Sequence, residues 1–203
     1  MTTKQPKPVI GLVGGIGSGK SEVARILVST GCVVCDSDAL SHKCLQDPVV
    51  QGELQKWWGS GVIGEGGEVD RESVAAIVFR DPVERKRLEA LIHPRVEHAR
   101  RALFSSAPAG TPALVIDAPL LLEAGLATQC SHIWFIETPE SIRQTRVMTT
   151  RGWDAANLAR RESAQWSLDR KRSAAHHVLR NDGDPASLRV QVLAELGKIS
   201  RFQ

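Results

Sequence analysis

The chain has 203 residues and a formal net charge of +3, with 24% charged and 42% apolar residues. This composition is typical of a folded α/β core, and it excludes a chain that is disordered or fibrous throughout. No apolar run approaches the roughly 18 residues that a membrane span needs, so we expect no membrane association. The charge includes no basic block or aromatic-interleaved stripe, so we expect no nucleic-acid partner.

Cys32 and Cys35 form a C-x-x-C pair, which is found in redox and zinc sites. No second pair at metal-ligand spacing completes a tetrahedral set, and the remaining cysteines, Cys44 and Cys130, stand apart. We interpret the cysteines as buried thiols in a reducing compartment. We therefore expect a cytoplasmic protein.

The most informative segment is GGIGSGKS, residues 14–21, which meets the pattern G-x-x-x-x-G-K-[ST] at every position. An apolar run typical of a buried strand precedes it, and a segment typical of a helix follows it. In that context the backbone N–H groups of the loop surround the phosphates of a nucleoside triphosphate at the helix N-terminus. The predicted nucleotide-binding residues are Gly15, Ile16, Gly17, Ser18, Gly19, Lys20, Ser21 and Glu22.

Two side chains of this loop have chemical roles of their own. Lys20 is predicted to reach the outer phosphates, and the Ser21 hydroxyl to bind Mg²⁺. The pattern therefore indicates a nucleoside triphosphate and Mg²⁺, but it does not specify which reaction follows.

Five short apolar runs predict a parallel sheet that is covered by helices on both faces. The runs are Val9–Val13, Cys32–Cys35, Ala113–Ile116, His132–Ile136 and His177–Leu179. Helical stretches separate most of them, which is the βαβ alternation of a doubly wound α/β fold. We therefore predict a single α/β domain over residues 1–203 with a five-stranded parallel sheet.

The stretch between the second and third strands is longer than one crossover needs. It predicts helices over Asp38–Trp58, Glu72–Phe79 and Pro82–Phe104, with a flexible loop over Gly59–Gly67. The stretch is either a decoration of the sheet or a helical subdomain, at about 39–110, that binds a second substrate. We favour the second interpretation, because a phosphoryl acceptor needs its own pocket opposite the nucleotide.

A helical hairpin rich in arginine is predicted near the C-terminus, over Pro139–Thr150 and Ala155–Arg172, with a break at Gly152. Its eight basic residues are Arg143, Arg146, Arg151, Arg160, Arg161, Arg170, Lys171 and Arg172. Because the planar guanidinium pairs bidentately with phosphate oxygens, we predict a lid over about 140–173. One or two of these residues should be functional and the rest solvated.

Acidic residues follow the second and third predicted strands: Asp36 and Asp38, then Asp117. Ligands of open α/β sheets bind beyond the carboxyl ends of the strands, so all three are candidate site residues. Asp117 fits a Mg²⁺ ligand and a helix N-cap equally well. The position of Asp36 and Asp38, just before the predicted acceptor-binding subdomain, favours a role in the reaction.

His93 precedes Pro94 inside the longest predicted helix, where a proline should break or kink the helix. A histidine at such a point is either an acceptor-binding group or a partly buried hydrogen-bonding residue.

Taken together, the motifs resemble those of the dephospho-coenzyme A kinase family over nearly the whole chain. The matching segments, beside the loop, are DSD at 36–38, GEVDR at 67–71, IVF at 77–79, LEALIHP at 88–94 and DAPLLLE at 117–123. Arg146, Gln165 and the segment 181–183 fall on the lid arginine, the lid glutamine and the C-terminal N-x-G of that family.

The resemblance implies a P-loop kinase fold and transfer of the ATP γ-phosphoryl group to the ribose 3′-hydroxyl of dephospho-CoA. Its catalytic residues would be Asp38, Lys20 and Arg146. The implied substrate-binding residues are Asp36, Asp38, His93, Asp117 and Leu120. ATP and Mg²⁺ are the implied cofactors, with Ser21 and Asp117 at the metal.

Three other functions share part of this pattern. Another small-molecule P-loop kinase, for a nucleoside or a nucleotide, has the same loop and lid, but the H-P and P-L-L-x-E segments argue against it. A GTPase-like switch would need an N-K-x-D motif, which the sequence lacks. The low net charge disfavours a nucleic-acid-directed ATPase. The oligomeric state is left open.

Overall fold

The computed structural model describes residues 7–200, except for the side chain of residue 200. The chain forms two compact units. One unit holds the residues up to Asp36 together with those from Ala107 onward, and the other spans Ser37–Ser106.

The first unit is built on a five-stranded sheet. Its strands are β1 (Val9–Gly14), β2 (Val33–Asp36), β3 (Leu114–Asp117), β4 (His132–Glu137) and β5 (His177–Arg180). Their order is β2-β3-β1-β4-β5, and all neighbours are parallel, which confirms the predicted sheet. Each strand extends one residue past the predicted apolar run at its carboxyl end.

Helices alternate with the strands along the described part of the chain. They are α1 (Lys20–Ser29), α2 (Ser37–Leu45), α3 (Pro48–Trp58), α4 (Arg71–Arg80), α5 (Pro82–Ser105), α6 (Glu140–Arg151), α7 (Ala155–Glu162), α8 (Leu168–Ser173) and α9 (Pro185–Ser200). Short 3-10 helices lie at Ser60–Val62 and Leu126–Gln129. The second unit contains α2 to α5, and the others belong to the first.

Each unit has a hydrophobic core of its own. In the first unit, Leu12 and Trp134 of the central strands are fully buried in one cluster with Leu27 of α1 and Val192 of α9. In the second, Val50 and Leu54 of α3 form the centre of a separate cluster. Burial on both faces of the sheet is the reason why β1 and β4 are almost wholly apolar in sequence.

The prediction of one helix over Asp38–Trp58 is wrong, because the chain breaks there into α2 and α3. The carboxylate of Asp47 accepts hydrogen bonds from the backbone N–H groups of Val49 (2.8 Å) and Val50 (3.4 Å). Pro48 follows at the first helical position, where its missing N–H costs nothing. An N-cap followed by proline starts a new helix, even where the apolar pattern continues.

Three further predictions need correction. The loop over Gly59–Gly67 contains the first 3-10 helix, and Ile63 forms an antiparallel bridge with Val69. Of the break or kink predicted at Pro94, the break does not occur: α5 is continuous through it and packs against α2 and α4. The second half of the predicted hairpin is two helices, α7 and α8, because Ser167 caps α8 by accepting a hydrogen bond from the Arg170 N–H (3.3 Å).

We predict that Asp47→Ala lowers the free energy of unfolding by about 0.5–2 kcal/mol, the usual cost of losing a helix N-cap. Two backbone N–H groups at the start of α3 would lose their acceptor. Denaturant unfolding of the variant and the wild type measures the difference. Glu53→Ala is the matched control, since Glu53 lies in the same helix and pairs with Lys56 one turn away at 2.7 Å. Equal stability of both variants and the wild type would contradict this capping role.

Candidate functional site

The loop between β1 and α1 lies at the carboxyl edge of the sheet, where ligands of parallel α/β sheets bind. It ends at Gly19, which caps α1 with a positive φ of 91°. A Cβ at this position would also collide with the side-chain amide of Asn181. Both the backbone conformation and the available space therefore require glycine here.

Every backbone carbonyl from Gly14 to Ser18 accepts a hydrogen bond from a side chain of the first unit. Lys20 Nζ donates to the carbonyls of Gly14 (3.4 Å) and Gly15 (3.3 Å). Arg143 donates to the Ile16 carbonyl (3.4 Å). Three further side chains complete the set at Gly17 and Ser18, namely Arg146, Asn181 and Thr138.

These contacts determine which way the loop faces. The C=O and the N–H of one trans peptide group point in opposite directions, so a carbonyl that points toward a cation or an amide turns the N–H of its own peptide group away from it. Successive N–H groups oriented in this way form a concave anion site. The first turn of α1 adds N–H groups that have no partner within the helix, together with the positive end of the helix dipole. The loop is thus shaped for an anion by the side chains around it.

The pKa of Lys20 is lowered to about 8. Burial is the largest cause, because it disfavours the charged amine. The nearby Asp117 carboxylate raises the pKa and offsets part of this effect, whereas the positive charges of Lys171 and Arg151 lower it further. An anion bound in the loop would stabilise the protonated amine and raise this pKa again.

Asp36 and Asp117 lie side by side at the carboxyl edge. They are register partners on the neighbouring strands β2 and β3, and Asp117 also pairs with Leu12 of β1. Neighbouring strands are separated by about 4.8 Å. Asp117 therefore lies next to β1, the strand that leads into the loop, and Asp36 lies one strand further away. Asp36 is exposed and Asp117 is half-buried.

The remaining predicted site residues are Leu120 in the first unit and Asp38 and His93 in the second. Leu120 is 46% exposed in the turn that follows β3. Asp38 is exposed in the first turn of α2, and His93 is exposed on α5, both in the helical unit. The exposure of His93 argues against the partly buried role that was the alternative for it.

Two ion pairs of low exposure involve basic residues of the predicted lid. Arg143 is 3% exposed and pairs with Glu162 of α7. Lys171 is 2% exposed and pairs with Glu123 at 3.2 Å, while it also donates to the Gln165 side chain at 2.7 Å. Burial raises the pKa of Glu123, but hydrogen bonds from the Trp166 N–H and Lys171 outweigh burial and keep it below its usual range.

A family model described as dephospho-CoA kinase matches residues 8–187, which is most of the chain. The chain belongs to the dephospho-CoA kinase family. A dephospho-CoA kinase of Synechococcus sp. is 43% identical to it over 195 residues, which are 94% of this chain and 92% of that protein. One from Gloeobacter violaceus is 38% identical over 193 residues, with 95% and 93% covered.

A solved structure shares the overall fold of this chain. The crystal structure of a Thermus thermophilus protein superposes on this dephospho-CoA kinase family member with a TM-score of 0.85 at 32% identity. The match covers 96% of this chain and 98% of the other. The family thus supplies the reaction class, a kinase that uses ATP.

Six residues that contact the loop or form the two ion pairs were not among the predicted site residues: Glu123, Thr138, Arg143, Glu162, Lys171 and Asn181. Arg143 and Lys171 are two of the eight basic residues in the predicted lid, and sequence alone does not distinguish them from the solvated ones. Arg161 and Arg170, for comparison, stack on the rings of Trp153 (4.0 Å) and Trp166 (3.3 Å). Only the N-x-G motif of the resemblance pointed to Asn181.

Two further observations concern the described residues as a whole. Between residues 7 and 200, no helix is both long and apolar enough to cross a membrane. Within the same range, no cluster of three or more histidine, cysteine, aspartate or glutamate side chains could hold a metal ion.

We predict that kcat/KM for ATP falls as the pH rises through about 8, because Lys20 loses its proton in the nucleotide-free enzyme. Below that pH the lowered pKa has no effect on charge, since the amine is protonated. At saturating ATP the decline should move to higher pH, because the triphosphate raises the pKa of Lys20. Steady-state rates across pH measure both profiles.

Lys20→Arg is the control for this pH profile, since arginine keeps its charge throughout the range. Whatever its absolute rate, this variant should lack the decline near pH 8. A wild-type kcat/KM that is constant well above pH 8, or the same decline in Lys20→Arg, would contradict the assignment to Lys20.

Proposed function

We propose that this chain transfers the γ-phosphoryl group of ATP to the ribose 3′-hydroxyl of dephospho-CoA, giving CoA. The loop geometry is the observation that carries this proposal, because cationic and amide side chains hold five consecutive carbonyls, at residues 14–18, away from an anion site. Membership of the dephospho-CoA kinase family identifies the acceptor. The free cysteines are compatible with the reducing cytoplasm in which we propose that the enzyme works.

Phosphoryl transfer depends on positioning and on neutralising charge, with little covalent chemistry for the protein to do. Lys20, the first residue of α1, is the cation that would move from the carbonyls of Gly14 and Gly15 to the outer phosphates. The Arg146 guanidinium donates hydrogen bonds to the carbonyls of Gly17 and Ser18 and to the side-chain oxygen of Asn181, at 3.2–3.5 Å. Both charges are in place before the transition state forms, which is the condition for efficient electrostatic stabilisation.

The oxygen donors at this edge fit Mg²⁺. The Ser21 hydroxyl is exposed in the first turn of α1, and the Asp117 carboxylate ends β3. Mg²⁺ prefers hard oxygen ligands and usually keeps several from water and phosphate, so two protein oxygens suffice. When bound, the ion would neutralise phosphate charge, and Ser21 and Asp117 would hold it.

The acceptor side of the reaction involves the helical unit. We propose that residues of about 39–110 bind dephospho-CoA, with Asp36, His93 and Leu120 among the contacts, and that the lid covers about 140–173. Asp38, at the start of α2, is the proposed base that orients the 3′-hydroxyl and accepts its proton. Its exposure on the helix supports access to a substrate.

An acceptor screen tests this function directly. ATP consumption is measured with dephospho-CoA, with a set of nucleosides and nucleotides, and without acceptor, and the product is identified by mass. CoA formed only with dephospho-CoA supports the proposal. Preferential phosphorylation of a nucleoside or a nucleotide would favour the alternative small-molecule kinase and overturn it.

We predict that Asp38→Asn slows single-turnover phosphoryl transfer by at least about a hundredfold, while ATP binding stays close to that of the wild type. Asparagine keeps the size of aspartate and loses the base. Asp36→Asn is the matched comparison, two residues earlier on the strand end. A fast Asp38→Asn enzyme beside an inactive Asp36→Asn enzyme would move the base to Asp36, and two fast enzymes would exclude a carboxylate base here.

A further inference from the structure

Glu162, at the C-terminal end of α7, makes an unusual contact with the phosphate-binding loop. Its Oε1 accepts a hydrogen bond from the backbone N–H of Ile16 at 3.1 Å. The same oxygen pairs with Arg143, which in turn donates to the Ile16 carbonyl at 3.4 Å. The peptide groups on both sides of Ile16 are therefore held by one ion pair between the buried Arg143 and the half-buried Glu162, which we name the Glu162–Arg143 clasp.

The clasp fits closely over the loop. A Cβ added to Gly15 would lie 2.8 Å from Arg143 Nη1 and 3.0 Å from Glu162 Oε1, so only glycine leaves room for the pair. Arg143 Nε is buried and has no hydrogen-bond partner among the described residues. An arginine with 3% exposure thus has one unused donor beside the loop, and its charge is balanced by a single carboxylate.

Carboxylate and phosphate oxygens have similar demands, since both are anionic acceptors that bind to backbone N–H groups and to the arginine fork. Glu162 therefore presents to the loop the same chemistry that a nucleotide phosphate presents. A negative charge this close to the loop repels a triphosphate, and the low exposure of the pair weakens screening by solvent.

We propose that the Glu162 carboxylate occupies the place of a phosphate oxygen at the loop. It holds α7 against the loop until the phosphates of a nucleotide displace it. The displaced carboxylate leaves Arg143 with an unpaired charge and an unused Nε donor, both of which the phosphates can satisfy. The free energy needed to separate Glu162 from Ile16 and Arg143 therefore lowers the affinity of the loop for nucleotide. This inference rests on the proposed function, because it takes the loop as the nucleotide site.

Nucleotide affinity in the absence of acceptor tests the proposal. Glu162→Gln keeps the shape and the acceptor oxygen but removes the charge. We expect it to bind ATP and inorganic tripolyphosphate at least about threefold more tightly than the wild type by titration calorimetry, because a charge that repels the phosphates has been removed. Adenosine, which has no phosphate, should show no gain.

The matched control is Glu140→Gln, which removes the same charge from α6. Glu140 accepts a hydrogen bond from the Gln144 side chain one turn away, at 2.9 Å. Its affinities should equal those of the wild type. If Glu162→Gln binds tripolyphosphate with equal or lower affinity while its thermal unfolding shows a folded protein, Glu162 is a support of the loop, and the proposal is wrong. An equal gain in affinity in Glu140→Gln would show that the effect comes from net charge alone, and this result would also overturn the proposal.

A measurement on the wild type covers the case in which the variant does not fold. The side-chain carboxyl carbon of Glu162 and the backbone N–H of Ile16 are followed by NMR during titration with tripolyphosphate. Release of the clasp should shift both signals together, and an unchanged Glu162 signal at saturation would overturn the proposal. A wild type that binds tripolyphosphate but makes no CoA would contradict the proposed function alone.

Discussion

The structure depends on how five carbonyl groups are satisfied. Between Gly14 and Ser18 the chain leaves β1 and turns into α1, and a buried carbonyl without a partner is costly there. Side chains of Lys20, Arg143, Arg146, Asn181 and Thr138 donate to these carbonyls, and the Gly15 carbonyl also accepts from the Ser18 N–H at 3.2 Å. The helices and strand ends that bear these side chains therefore fix the shape of the loop.

This arrangement has an electrostatic cost. Several cations converge on a small volume before any phosphate is present, and burial lowers the pKa of Lys20 to about 8. Carboxylates partly offset the repulsion, since Glu162 pairs with Arg143 and Glu123 with Lys171. A buried pair of this kind contributes little net stability, yet removing one partner leaves a charge that the site cannot solvate. Phosphate is the ligand that best resolves this imbalance.

Much of this fold could be predicted from sequence, because local signals coincide with it. The strands are apolar on both faces, and the loop motif places β1 and α1. The last residue of each strand is a glycine or a polar residue. The apolar runs therefore predicted the end of each strand one residue too early. The break at Asp47 and Pro48 was missed because the apolar pattern runs through it. Pro94 is tolerated inside α5 because that helix packs against α2 and α4. Glu162 could not be found, since only folding brings it to Ile16.

A crystal structure with Mg²⁺ and a non-hydrolysable ATP analogue tests the central claim most directly, namely that this loop holds the triphosphate. The account predicts phosphate oxygens against the loop N–H groups, with Lys20 Nζ moved from the carbonyls of Gly14 and Gly15 onto the outer phosphates. The carbonyl contacts of Arg146 and Asn181 should remain. A triphosphate bound elsewhere, with Lys20 still on those two carbonyls, would contradict it.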